Sequence, residues 1–305
     1  MTSFNGGCKQ KFEFMKFYPQ LAQREEYWDP MTGKAIHAAY QNYLVYRDED
    51  KAIWELIKNF DLRAKDKKAW QPKTLEACYS SLMSAINYNQ RLKMMELAYI
   101  KVNGEERPAY EVPFQINLQH KGNPVTIGDG IPVIYVGYID NILVDITTGE
   151  YVCEDIKTHR DDSELKPLEF EFSEQVLPYA FVLSQVLGKP VDRLVARYLS
   201  VYVDLRKPVV QYFEYIKTPE MIQEWAMGVM NVVDEIRKYH TRSWWPRNNE
   251  RCVSYGYACQ FMDVCRTRNS AYRDQHFSLG NQLVMPWEQR KKFEPWLVMD
   301  LELDV

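Results

Sequence analysis

Apolar residues recur at three- and four-residue spacing along four stretches of the first hundred residues: Lys9 to Gln20, Gly33 to Arg47, Lys51 to Phe60 and Thr74 to Ile100. That period predicts helices with one buried face. A basic loop carrying Arg63, Lys65, Lys67, Lys68 and Lys73 separates the third stretch from the fourth. From Tyr110 the pattern shortens to a period of two. Tyr110 to Leu118 alternates, while Ile131 to Ile146 and Tyr151 to Thr158 are rich in Val, Ile and Tyr. Thr147-Thr148-Gly149 breaks these two runs, which predicts a hairpin. Leu194 to Val203 and Val209 to Ile216 read as a second strand pair. Between the pairs, Phe172 to Leu187 reads as a helix with Ser173 as its N-cap. Thr218-Pro219-Glu220 opens a long helix to about Tyr239, with proline in its favoured first turn. Strands and helices intermixed in this way predict an α/β core. The expected organisation is one domain in three parts: a mainly helical part (1–109), an α/β core (110–217), and a long helix with a cysteine-rich stretch and a tail (218–305). The tail, Asp300-Leu-Glu-Leu-Asp-Val305, is expected to fray.

Composition changes this picture little. A chain of 305 residues with 46% hydrophobic and 14% aromatic content can bury a sizeable core and lacks the bias of disordered or fibrous proteins. No apolar run reaches the ~18 residues that span a bilayer, and Met1-Thr2-Ser3-Phe4-Asn5-Gly6 lacks the regions of a signal peptide. A cytosolic location is therefore expected, with the cysteines as thiols rather than structural disulfides. The net charge of −4 argues against a generic polyanion binder. Local charge differs: between Arg237 and Arg273, eight basic residues (Arg237, Lys238, Arg242, Arg247, Arg251, Arg266, Arg268, Arg273) face two acids, Glu250 and Asp263. Tyr239, Trp244, Trp245, Tyr255 and Tyr257 are interleaved with them, a mixture that suits a nucleic-acid backbone and its bases as well as an ordinary solvated surface.

Candidate chemistry centres on Asp155-Ile156-Lys157. Alternate residues of a strand share a face, so Asp155 and Lys157 point one way and Glu154 the other. If Asp140 lies opposite Asp155 across the hairpin, two carboxylates and an ammonium group converge and can hold a hard divalent cation and a water. An Asp and a Lys at this spacing more often form a surface ion pair. The neighbours Val133, Ile134, Val136, Ile139, Ile142, Leu143 and Val144 instead predict a strand covered on both sides, where a lone charge costs several kcal/mol. His37 lies in a helix of small residues, Glu111 opens an apolar strand, and Gln175 and Tyr179 share a helical face by their spacing. Each is commonplace alone. Cys252, Cys259 and Cys265 are spaced C-x6-C-x5-C, as thiols sharing a metal would be, and the segment contains no histidine. Cys8, in a glycine-flanked loop, is the best fourth ligand, ahead of Cys78 and Cys153, which read as small core hydrophobes. Iron-sulfur, zinc and unligated thiols all remain open on spacing.

The order Cys8, Gly33-x3-His37, Glu111, Gly137-x2-Asp140, Asp155-x-Lys157-Thr158, Gln175-x3-Tyr179, then Cys252, Cys259 and Cys265, resembles the RecB-like branch of the PD-(D/E)XK nuclease superfamily. More narrowly it is similar to the iron-sulfur members typified by the AddB nuclease domain, the CRISPR-associated adaptation exonucleases and small phage-encoded relatives. The resemblance runs from Cys8 to Cys265. It departs from the family in the x6 gap after Cys252, where x2 is common, and in Pro178 within the Gln-Tyr motif. It implies a restriction-endonuclease-like fold, a central mixed sheet flanked by helices. It also implies that His37, Asp140, Asp155 and the main-chain carbonyl of Ile156 bind Mg²⁺ or Mn²⁺, with Glu111 supporting the metal. Lys157 would orient the attacking water and stabilise charge on the scissile phosphate, and Gln175 and Tyr179 would hold the substrate strand. Cys8, Cys252, Cys259 and Cys265 would carry a structural [4Fe-4S] cluster, with zinc as the alternative. The implied activity is a DNA exonuclease acting at single-stranded or free ends in recombination, repair or replication, in the cytoplasm of a bacterial or phage-infected cell. A helicase or recombination protein is the implied partner, and no membrane is involved. A DNA-binding component with weak or no nuclease activity and a structure-specific endonuclease are the alternatives.

Overall fold

The computed structural model describes residues 8–17, 28–60, 74–92, 95–127, 130–159, 175–188, 193–200, 210–254, 257–259, 261–266 and 294–303. Helices are α1 (Lys9–Phe17), α2 (Trp28–Tyr46), α3 (Glu49–Asn59), α4 (Leu75–Leu92), α5 (Leu177–Leu187), α6 (Pro219–Thr241) and α7 (Met262–Arg266). Strands are β1 (Met95–Leu97), β2 (Tyr99–Val102), β3 (Glu105–Pro108), β4 (Tyr110–His120), β5 (Asn123–Pro124), β6 (Ile134–Asp145), β7 (Tyr151–His159), β8 (Arg193–Ser200), β9 (Val210–Ile216), β10 (Val253–Ser254), β11 (Tyr257–Ala258) and β12 (Leu297–Glu302). Two compact units result, one of Glu26–Phe114 with Val136–Ile222 and one of Met1–Glu25 with Gln115–Tyr135 and Gln223–Val305.

In the first unit, small and apolar residues at helical spacing face inward. Ala35, Ile36, Ala39, Tyr40 and Tyr43 on α2, Ala52 and Leu56 on α3, and Ala77, Cys78, Leu82, Ala85 and Ile86 on α4 form one core with Leu97, Leu143 and Ile156 of the sheet. Asp48 accepts the Lys51 N–H at 3.1 Å and Thr74 Oγ1 accepts the Ala77 N–H at 3.1 Å, fixing where α3 and α4 begin. Gly33 lets α2 approach the sheet closely, since a Cβ there would lie 3.2 Å from Thr158 Oγ1.

The sheet of this unit runs β4-β6-β7-β8-β9, with β1 also on β6. β6 and β7 form the expected antiparallel hairpin, from Val144↔Tyr151 to Asn141↔Glu154. Its turn is held by Asp145 Oδ1, which accepts the N–H groups of Thr147 and Thr148 at 2.9 and 3.3 Å, and Gly149 takes the left-handed φ of +71° that closes it. β8 pairs parallel to β7 and antiparallel to β9. α5 lies between β7 and β8 in the chain, as a parallel connection requires, and packs against β7. Ile156 belongs to the α2–α4 core while its neighbour Asp155 meets the α5 side, so helices flank the mixed sheet on both faces. The α/β class expected from the sequence is the class found.

Three expectations are corrected. The helix expected to reach Ile100 ends at Leu92, because Tyr99, Ile100, Lys101 and Val102 alternate exposed and buried and belong to a strand. The helix expected from Phe172 begins at Leu177, and Pro178 sits in its first turn, where its missing N–H has no partner to lose. Ser173 and the basic loop from Arg63 to Lys73 lie outside the described residues. Burial of β6 is confined to its second half: Ile139, Asn141, Ile142 and Leu143 are buried, while Val136 and Tyr138 are exposed.

The second unit is built on α6, whose Trp225, Val229, Val232, Val233 and Ile236 are buried, with Trp225 edge-on to Tyr135 at 5.5 Å. Here β12 pairs with β4: the Leu303 N–H donates to Gln119 O at 2.9 Å and Asn117 Nδ2 to Asp300 Oδ1 at 3.0 Å. As far as Leu303 the tail is therefore the end of a strand rather than frayed, because Leu297, Leu301 and Leu303 have an apolar face to bury, while residues 304–305 lie outside the described residues. Among the described residues, no helix is long and apolar enough to cross a membrane.

Candidate functional site

The eight non-cysteine residues expected at the site, His37, Glu111, Asp140, Asp155, Ile156, Lys157, Gln175 and Tyr179, lie in the first unit. The main-chain ladder between β6 and β7 stops at Asn141↔Glu154. One step further, the Ile156 N–H donates to the Asp140 carboxylate, Oδ2, at 3.1 Å. Asp140 thus stands beside Asp155, and its side chain takes the place of a main-chain acceptor. His37 Nδ1 on α2 lies 3.8 Å from the same Oδ2. One helical turn further, Gln41 donates from Nε2 to Glu111 Oε1 at 3.2 Å and to the Asp140 main-chain oxygen at 3.4 Å. Glu111 itself has φ +45°, a left-handed conformation uncommon for a residue with a side chain. One ligand atom from each of His37, Glu111 and Asp140 lies within 4.8 Å of the others. Among the described residues this is the group of metal-ligating side chains drawn so close, and an imidazole with two carboxylates fits a divalent cation.

Asp155 is buried next to this group. Lys157 Nζ lies 2.7 Å from its Oδ2 and 3.0 Å from its Oδ1, and Gln175 Nε2 donates to Oδ1 at 3.2 Å. The Gln175 amide also donates to Tyr179 Oη at 3.1 Å, and Tyr179 stands edge-on to Phe114 at 6.1 Å. Gln175 occupies the turn before α5 rather than the helix, so the bridge does not come from the shared helical face that the spacing predicted. Burial, with Asp140 and Glu154 adding to it and Lys157 opposing it, pushes the Asp155 carboxyl up to about 7. Burial chiefly, then the Asp155 charge, also raises the Tyr179 hydroxyl. Glu154 faces the other way, as expected, buried and accepting a hydrogen bond from Asn141 Nδ2 at 3.0 Å. Sequence reasoning missed Gln41, although its position four residues after His37 on one helical face was a usable signal.

The cysteines divide between the units. Cys78 and Cys153 are buried in the first, as small hydrophobes would be. Cys8, Cys252, Cys259 and Cys265 belong to the second and are half-buried. Cys8 Sγ accepts the Asn248 N–H at 3.3 Å, and the Cys259 N–H donates to Cys252 O at 2.7 Å across the β10–β11 hairpin. Burial raises the Cys265 thiol to about 11; Arg247 opposes this, and Cys8, Cys259 and Cys252 push it further up. The thiols are thus near enough to influence one another, yet no three of their sulfurs lie within 4.8 Å of one another as the ligand atoms of the His37 group do. The basic and aromatic segment splits in role. Trp245 is buried against Phe12 and Tyr239, at 6.1 and 5.6 Å, while Trp244 is 61% exposed. Tyr255, Arg268 and Arg273 lie outside the described residues.

No protein-family model matches the sequence. No curated protein matches it either. Among solved structures, the fold is similar to that of a candidate exonuclease from Eubacterium rectale, with a TM-score of 0.46 and 12% identity over 88% of this chain and 85% of that one. It is also similar to SSO0001, with a TM-score of 0.32 and 14% identity over 77% of this chain and 84% of that one.

Proposed function

We propose that the chain is a metal-dependent DNA exonuclease that hydrolyses phosphodiester bonds at single-stranded or free ends. The observation that carries this reading is the convergence of His37, Glu111 and Asp140 beside the buried Asp155–Lys157 pair. His37, Asp140, Asp155 and the Ile156 carbonyl would hold Mg²⁺ or Mn²⁺, with Glu111 as a further carboxylate. The ion would supply polarisation of the phosphoryl oxygens and a lower pKa for bound water. Lys157, neighbour to Asp155 at 2.7 Å and one third exposed, keeps an ammonium group at the mouth of the site, where it orients a water and offsets charge growing on a phosphate. Gln175 holds the Asp155 carboxylate and the Tyr179 hydroxyl in one network and so fixes both against the strand that enters. Tyr179, kept protonated by its burial, would donate a hydrogen bond to a phosphate oxygen and so help hold the substrate strand.

Cys8, Cys252, Cys259 and Cys265 would hold a [4Fe-4S] cluster, or zinc, in a structural role. Four thiols in one unit with a main-chain N–H already directed at Cys8 Sγ form a suitable donor set. Digestion of linear and covalently closed single-stranded DNA with Mn²⁺ tests the reading. Nucleotide release from the linear form alone is expected. Cutting of the circle would favour an endonuclease, and retention of both forms uncut under every divalent metal would favour a binding component.

A further inference from the structure

We infer that Gln41 is a positioning residue for the candidate metal site, holding Glu111 in ligating geometry; the inference rests on the metal-dependent reading above. An amide nitrogen carries two N–H donors. Both are directed at the site: one at Glu111 Oε1, 3.2 Å away, and one at the Asp140 main-chain oxygen, 3.4 Å away. Gln41 is 5% exposed, so its two donors are held away from water and directed at these two acceptors. The residue sits one turn after His37 on α2, and the same helix therefore presents a ligand and the group that arranges the ligand opposite it. A second observation points to the same place. Glu111 is the second residue of β4 and adopts φ +45°, a conformation that persists only where surrounding contacts hold it. Glu111 is exposed, and the Gln41 amide is the contact on its carboxylate, while the same amide also reaches the Asp140 main-chain oxygen. Together they place the Glu111 oxygen within 4.8 Å of His37 and Asp140 before any ion arrives, and lower the reorganisation that binding requires.

The test is a calorimetric titration of the full chain with MnCl₂, with no DNA present. Outer-shell partners of metal ligands are worth roughly ten- to a hundred-fold in metal affinity. Gln41→Met, which keeps the volume and removes the donors, is expected to weaken Mn²⁺ binding by about ten-fold or more on that scale, with the metal-free melting temperature changed far less. In a Glu111→Gln background the same substitution is expected to lose most of its effect, because Gln41 acts largely through Glu111. An equal loss in both backgrounds, or no loss in either, would overturn the inference while leaving the metal site intact. Absence of Mn²⁺ binding by the parent would overturn the metal-dependent reading and the inference with it. Should Gln41→Met fail to fold, Gln41→Ser removes the reach while tolerating the polar surroundings, and the same two outcomes decide.

Discussion

Asp155 is a carboxylate whose surroundings oppose its charge. Below the ordinary aspartate pKa, near 4, it is protonated in the folded and unfolded chain alike and has no effect on the balance between them. As pH rises towards the folded-state value of about 7, the unfolded chain ionises more readily than the folded one, so the metal-free fold loses stability across that window. Each unit of pKa difference corresponds to about 1.4 kcal/mol. Asp155→Asn removes this loss. Its urea midpoint without metal is expected to exceed that of the parent by an amount that grows from about pH 4 to about pH 7 and then levels. A gap that does not change with pH would contradict the burial argument. Added Mn²⁺ is expected to stabilise the parent and not the variant. Lys157→Met carries the complementary expectation: a fall in nucleotide release of roughly 10²-fold or more, the scale of one lost charge-stabilising donor, with a lower metal-free melting temperature near neutral pH, where Asp155 loses its charge partner. The period-two pattern of β7 already separated Asp155 and Lys157 from Glu154. What it could not show is that the ladder stops at Asn141↔Glu154 and that Asp140 reaches the Ile156 N–H, since register past a ladder's end is not a local property. The place of Gln41 one turn after His37 was legible, but its partners were not, because both acceptors lie some 70 residues or more along the chain.

At the scale of elements, the hairpin, α5 and the small-residue face of α2 bring the site together, and one glycine sets their spacing. A Cβ on Gly137 of β6 would lie 2.6 Å from the Phe114 ring, which in turn packs edge-on against Tyr179. Gly137→Ala is expected to destabilise the fold by about 1–3 kcal/mol, as overpacking does, and to lower activity through Tyr179; urea denaturation and the nuclease assay read the two effects separately. Most elements were legible because their periods are strong: α3 from its buried Ala52 and Leu56, and the β6–β7 turn from Thr-Thr-Gly. The failures have physical causes. Met95 to Val102 follows an unambiguous helix without a glycine or proline stop, so the change of period passes unmarked. The tail looked acidic, yet its alternating leucines were the stronger signal.

For the whole molecule, the two units separate the two kinds of chemistry: carboxylates and His37 in one, the four thiols in the other. Anaerobically purified protein is expected to be brown and to contain iron and sulfide, and Cys8→Ser or Cys265→Ser to bleach it and lower its melting temperature. Colourless protein with stoichiometric zinc would assign the thiols to zinc instead. The seven motifs were legible in chain order, while the distribution of their residues between two units was not, because Cys8 joins residues some 240 positions away through contacts such as Asn248 to Cys8 Sγ. The most direct test of the proposed activity is Mn²⁺-dependent release of nucleotides from end-labelled linear single-stranded DNA by the full chain and by Asp140→Ala. The expected result is metal-dependent release by the parent and none by the variant, at equal folding. Equal release by both, or release that persists in excess chelator, would contradict it.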